Sequence, residues 1–209
     1  MGIIAIRHGQ SEISYKVKER KINNKPTCWE EVELFSQIRN KDTEDSGLSV
    51  NGKEQAEKMS KELKNYKIDK VYISQMKRVK ETYEILQKEC DLPEYNQDKR
   101  LNAILSGILH GHINENSKEY FDSLPFEAIE TKQLAYNYQT GESQFRAVQR
   151  VYNFLDDIKK EWEEKNVLLI THKSTLRIIN TYFTEILDDE IYKFNPKNLE
   201  VTLYGKIFN

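Results

Sequence analysis

The sequence predicts an α/β protein, a three-layer α/β/α sandwich around a mainly parallel sheet. Two observations predict it. Short runs of strand length, Gly2–Ile6, Val71–Ser74 and Val167–Thr171, are dominated by Ile, Leu and Val, as expected of strands buried on both faces. Segments of helical length lie between and after them, with apolar residues every three or four positions, the alternation of βαβ units.

The elements follow in order. Gly2–Ile6 is the first strand. Ser49 caps a helix that runs to Leu63, with Ala56, Met59 and Leu63 on one face. Val71–Ser74 is the second strand, followed by a helix from Met76 to about Glu89 carrying Val79, Tyr83 and Leu86. One long helix is expected from Gly141 to about Glu164, burying Val148, Val151, Phe154, Leu155 and Ile158. Val167–Thr171 is the strongest strand, Ser174 to about Leu187 a helix, and Val201–Ile207 a closing strand interrupted at Gly205.

The 209 residues suffice for one domain with a sizeable insertion. A hydrophobic share of 38% against 32% charged implies a packed core under a heavily solvated surface. The net charge of −2 argues against general nucleic-acid binding. Lys64, Lys67, Lys70, Lys77 and Lys80 read as an exposed helix face. Cys28 and Cys90 have neither metal-ligand spacing nor the number for a disulfide framework, which suits a reducing cytosol. The apolar N-terminal run is too short for a signal peptide, nothing is long enough to span a bilayer, and Ile6 stands where a myristoylation site needs Ser or Thr. The expected setting is cytoplasmic, without a membrane or nucleic-acid partner. Oligomeric state leaves no mark.

Sheets of this kind bind ligands just beyond the carboxyl ends of their strands. After Ile6 come Arg7 and His8. After Ile73 come Ser74 and, four residues on, Arg78. After Ile170 come Thr171 and His172. Each alone reads as a packed or surface residue, but together they converge on one edge. Two guanidiniums suit a phosphoryl group, whose charge is spread over three oxygens, and each charge-assisted hydrogen bond contributes about 1.5–3 kcal/mol. An imidazole beside them can act as nucleophile and divide phosphoryl transfer into two steps. A second imidazole can supply a further N–H. Gly9 would let backbone approach the ligand.

RHGQSE, LSVNGKEQA, YISQMKRVKET, GESQFRAVQRVYNFL and VLLITHKSTLRII resemble, in order, the motifs of the histidine phosphatase superfamily, in the phosphoglycerate mutase-like branch with RHG near the N-terminus. The resemblance covers most of the chain apart from roughly residues 15–46 and 108–140. It implies a phosphoglycerate mutase-like fold and a small phosphorylated substrate, with no metal or organic cofactor. His8 would be the nucleophile that becomes phosphohistidine. Arg7, Arg78 and His172 would form the phosphate pocket, supported by Ser74 and Thr82. Phosphatase activity is the expectation. A mutase is disfavoured because LNAILSG lacks the Leu-Asn-Glu-Arg-His segment those enzymes carry, and a protein phosphatase has only the aromatic insertion behind it.

The chain also departs from the family pattern. Ala103 stands where the general-acid glutamate is usual, and His110 where a second glutamate often is. Losing a general acid typically costs about 10²–10⁴-fold in rate. Three outcomes are open. Another residue serves, with His110 favoured over His112, Glu142 and Glu12. Or the leaving group needs little protonation. Or the protein is a catalytically impaired phosphate-ligand binding or regulatory protein. Lys173 replaces a usual glycine and either adds charge at the pocket rim or points to solvent, and Ser14 replaces a usual asparagine as a phosphate donor. The segments around 15–46, with Trp29 and Phe35, and 108–140, with Tyr120, Phe121 and Phe126, are expected to form a cap over the site within a single domain spanning residues 1–209.

Overall fold

A computed structural model describes residues 1–22, 45–104, 142–185, 191 and 193–206. Five strands, β1 (Gly2–Arg7), β2 (Lys70–Ile73), β3 (Tyr95–Gln97), β4 (Asn166–Thr171) and β5 (Val201–Gly205), form one sheet in the order β3-β2-β4-β1-β5. All neighbours are parallel except β5, which runs antiparallel to β1. The described helices are α1 (Glu12–Ile22), α2 (Val50–Leu63), α3 (Lys77–Glu89), α4 (Gln144–Asp157), α5 (Lys159–Glu164) and α6 (Lys173–Thr184), with a 3₁₀ turn at Lys99–Leu101.

The layers follow from the pleat, which sends successive side chains to opposite faces. Ile3 and Ala5 of β1 and Val167 and Leu169 of β4 pack with Val151, Phe154, Leu155 and Ile179 on the face of α4 and α6. Ile4, Ile6, Leu168, Ile170, Val71 and Ile73 pack with Ala56, Leu63, Val79 and Leu86 on the face of α2 and α3. Both faces are covered, which is why these strands read as continuous apolar runs. The register pairs Ile6 with Ile170 and Ile170 with Ile73, so the residues after all three leave the sheet at one level.

Several boundaries differ from expectation for local reasons. Ser49 caps α2 as predicted, its hydroxyl accepting the Gly52 N–H at 3.1 Å. Ser143 does the same for α4, so that helix starts at Gln144 rather than Gly141. The expected single helix to Glu164 divides at Ile158, whose φ of −95° and ψ of 8° leave the helical region while its side chain stays in the core. The α5 helix beyond it buries no residue. The α6 helix stops at Thr184, because Glu185 takes a left-handed cap at φ 58°. The closing strand ends at Gly205 (φ 86°), where any side chain would also press on the Met1 carbonyl. The α1 helix occupies the start of the stretch read as an insertion, and β3 was not anticipated. Among the described residues no helix is long and apolar enough to cross a membrane.

Candidate active site

The strand ends deliver the site. The His8 N–H donates to the Thr171 carbonyl at 3.0 Å and the Ser74 N–H to the Ile170 carbonyl at 3.2 Å, tying the segments after β1, β2 and β4 together. His8 and His172 are both buried, their rings 5.0 Å apart and inclined at 61°.

Hydrogen bonding sets the tautomer of each imidazole. His8 Nδ1 lies 2.6 Å from the Gly9 carbonyl, an acceptor only, so Nδ1 carries the proton. Nε2 keeps its lone pair and accepts from Arg78 Nε at 3.2 Å. In His172, Nδ1 faces Arg78 Nη2 at 3.2 Å, and a guanidinium only donates. The His172 proton therefore sits on Nε2 and goes to Ser74 Oγ at 2.8 Å. Ser74 donates onward to Asn102 Oδ1 at 2.8 Å, which also accepts the Gln75 N–H at 2.9 Å. Burial, then the Arg78 charge, holds both imidazoles well below their ordinary pKa. Both are neutral near pH 7, the state a nitrogen nucleophile needs.

Arg78 is the hub. Besides its contacts to both imidazoles, its Nη1 pairs with Asp45 Oδ1 at 2.8 Å. Asp45 Oδ2 accepts the Lys77 N–H, fixing the carboxylate to the first residue of α3. Thr82 supports the same loop, accepting the Gly9 N–H at 3.1 Å and donating to the Arg78 carbonyl at 2.7 Å. The segment before β5 clasps the Arg7–His8 segment as well. Asn198 Nδ2 donates to the His8 carbonyl at 2.6 Å, the Leu199 N–H to the Arg7 carbonyl at 2.9 Å, and Arg7 Nη1 to the Pro196 carbonyl at 3.3 Å.

A cavity of about 360 Å³ opens over these groups. Of the residues singled out in the sequence, Arg7, His8, Ser14, Arg78, Ala103, His172 and Lys173 line it. Two lining residues, Arg7 and Ser46, each carry a buried polar atom, Nε and Oγ, with no partner among the described residues. Burial and the neighbouring Arg78 and Arg177 lower the Arg7 pKa, and burial lowers that of Arg78. An incoming dianion would supply both the missing acceptors and the missing counter-charge.

Other expected residues are placed differently. Ser74 stands behind His172 rather than at the cavity. The tight approach at Gly9 is to protein, because a Cβ there would lie 2.5 Å from the Gly52 carbonyl oxygen. Glu142 is not at the cavity. Both its oxygens accept from Arg150, at 2.6 and 2.8 Å. Glu12 lies on the exposed side of α1, beside Tyr15 and Glu54 in a separate concavity. His110, His112 and the aromatics Trp29, Phe35, Tyr120, Phe121 and Phe126 fall outside the described residues. Sequence reading missed Asp45, Ser46, Asn102, Asn198 and Arg177. Of these only Arg177 carried a signal, since it follows Lys173 by one helical turn and so shares its face.

Among known proteins, the family model described as "Histidine phosphatase superfamily (branch 1)" matches residues 3–205. The 6-phosphofructo-2-kinase/fructose-2,6-bisphosphatase of Aquarana catesbeiana is 32% identical over 149 residues, 70% of this chain. Isoform 1 of that protein from Homo sapiens is 32% identical over 156 residues, 74% of this chain. The aligned residues make up only 30% and 31% of those relatives. Among solved structures, Bacillus stearothermophilus YhfR superposes with a TM-score of 0.70 at 23% identity, covering 96% of this chain and 89% of its own. The alpha-ribazole phosphatase of Shigella flexneri does so at 0.71 and 17% identity, covering 97% and 89%. These two likenesses establish the fold.

Proposed function

Because the chain belongs to branch 1 of the histidine phosphatase superfamily, we infer that it hydrolyses a small phosphorylated metabolite through a phosphoryl group carried on His8. The observation that carries this reading is the His8 tautomer. Nδ1–H is committed to the Gly9 carbonyl, leaving the Nε2 lone pair beside Arg78. In the first step that lone pair attacks phosphorus and the ester oxygen departs. In the second, water attacks the phosphohistidine and Nε2 leaves with its electron pair. Arg7 and Arg78 hold the phosphoryl oxygens throughout, and the Gly9 carbonyl stabilises the positive charge that His8 gains.

Two features bear on the substrate. Lys173 and Arg177 add further cationic side chains to the cavity wall, which favours a substrate with a second anionic group. Fructose 2,6-bisphosphate, the phosphatase substrate in the names of the relatives above, is such a compound and heads the panel to assay. Ala103 on the cavity wall supports a second reading, a phosphate-ligand binding protein that turns over little.

The deciding experiment is acid-labile, alkali-stable phosphoryl trapping on rapid quench with p-nitrophenyl phosphate, alongside steady-state release of p-nitrophenol. Label on His8, with both signals abolished in His8→Ala, is expected. Orthophosphate binding without turnover would establish the second reading instead.

A further inference from the structure

We propose that Lys173 does the work of the carboxylic acid that position 103 lacks, its ammonium giving a proton to the leaving-group oxygen as His8 is phosphorylated. The proposal rests on the His8 reading above. Its basis is the juxtaposition of two of the positions at which the sequence differs from the pattern it resembles, Ala103 and Lys173. Ala103 presents only a methyl group to the cavity. Its segment is fastened to the first turn of α6: the Ile104 N–H donates to Ser174 Oγ at 3.3 Å and Thr175 Oγ1 to the Asn102 carbonyl at 2.9 Å. Lys173 belongs to that turn, follows His172 directly and lines the same cavity.

Elimination among the described lining residues leads to the same side chain. No carboxyl group lines the cavity. Arg7, Arg78 and Arg177 do not release protons in proteins, and serine hydroxyls are very weak acids. His172 has its one proton on Nε2, committed to Ser74. Lys173 forms no hydrogen bond or ion pair among the described residues. Burial, then Arg177 and Arg7, lowers its pKa, the direction that suits an ammonium to proton donation nearer neutrality.

The steps balance. The Nε2 lone pair forms the N–P bond while the P–O bond to the leaving group breaks, and the electron pair leaves with that oxygen. The Lys173 ammonium protonates the oxygen and becomes a neutral amine. That amine then takes a proton from the attacking water as the new O–P bond forms and the N–P bond breaks. Orthophosphate, the His8 lone pair and the Lys173 ammonium are all restored, with water the sole co-reactant.

The test uses the full chain and a series of aryl monophosphates with progressively poorer leaving groups: p-nitrophenyl, p-chlorophenyl and phenyl phosphate. In Lys173→Met the loss in kcat/KM is expected to grow along the series, smallest for p-nitrophenyl and about 10²-fold for phenyl phosphate. Wild-type turnover of phenyl phosphate should decline at alkaline pH with a limb that Lys173→Met lacks. Ala103→Glu added to Lys173→Met should recover about tenfold or more on phenyl phosphate. An equal loss on all three esters would make Lys173 a phosphate-binding residue and overturn the proposal, as would no loss at all. Retention of p-nitrophenyl phosphate hydrolysis by His8→Ala would instead sink the reading on which the proposal rests.

Discussion

Two sets of residues that line or back the cavity are built differently. Around His8 and His172 both nitrogens of both imidazoles are engaged, and one guanidinium reaches His8, His172 and Asp45 together. The second set is a methyl group at Ala103, the Lys173 ammonium without a partner among the described residues, and a Ser174 hydroxyl that accepts one backbone N–H. Donors fixed in advance stabilise developing charge without reorganising during the reaction. The transferred group is the same for every phosphate ester, so its pocket can be rigid. The leaving group differs from one substrate to the next, so the groups that face it need not be fixed in the same way.

Arg78 is where this contrast breaks most readily. Arg78→Lys keeps a positive charge but loses the planar fork, and an ammonium cannot span two imidazoles and a carboxylate at once. With about two charge-assisted hydrogen bonds lost at 1.5–3 kcal/mol each, kcat/KM for p-nitrophenyl phosphate should fall about 10²–10⁴-fold. Lys173→Met should cost far less on that same ester. Equal losses from the two substitutions would mean that the two sets do not differ in kind.

Asp45→Asn sharpens the comparison at about a tenfold effect on kcat/KM. Burial raises the Asp45 pKa and lowers that of Arg78 despite their contact at 2.8 Å. For each partner the cost of leaving water exceeds the attraction, so the pair contributes little to folding. Its effect is to aim Arg78. Asparagine keeps the shape and drops the charge, leaving the buried Arg78 guanidinium without its counter-charge, so activity and melting temperature should fall together. A large drop in melting temperature with normal turnover would make Asp45 a structural tie.

The same division governs what could be read from the sequence. Strands β1, β2 and β4 were legible because two covered faces demand unbroken apolar runs, and Arg7, His8, Arg78 and His172 were legible because they directly follow or closely trail those runs. Edge strand β3, three residues paired on one side only, needs no apolar run and left none. The α1 helix carries too narrow an apolar stripe to stand out among its charges. Asp45 lies in a stretch of charges and acts through a partner 33 positions away, and Asn102 acts through Ser74 across 28. Such ties between loops obey no period. Nothing local reveals that Gly52 packs against Gly9, where a Cβ would meet the Gly52 carbonyl.

The smallest expected effect concerns stability in acid. His172 and His8 titrate well below the ordinary histidine value when folded, whereas in the unfolded chain they titrate near about 6.5. Between those limits the unfolded state binds more protons than the folded one, so stability rises with pH through that window. It is lost as pH falls below about 6.5, and above that both rings are neutral in both states and contribute no slope. His172→Gln retains an N–H for Ser74 and removes one titrating group. Its melting temperature should therefore decline less between pH 7 and pH 5 than that of wild type, by a few degrees. Lys173→Met removes neither imidazole and should keep the wild-type slope. Matching slopes for wild type and His172→Gln would mean that the His172 ring takes up its proton in the folded protein as readily as in water, and the described phosphoryl pocket would then lack the dry surroundings assigned to it.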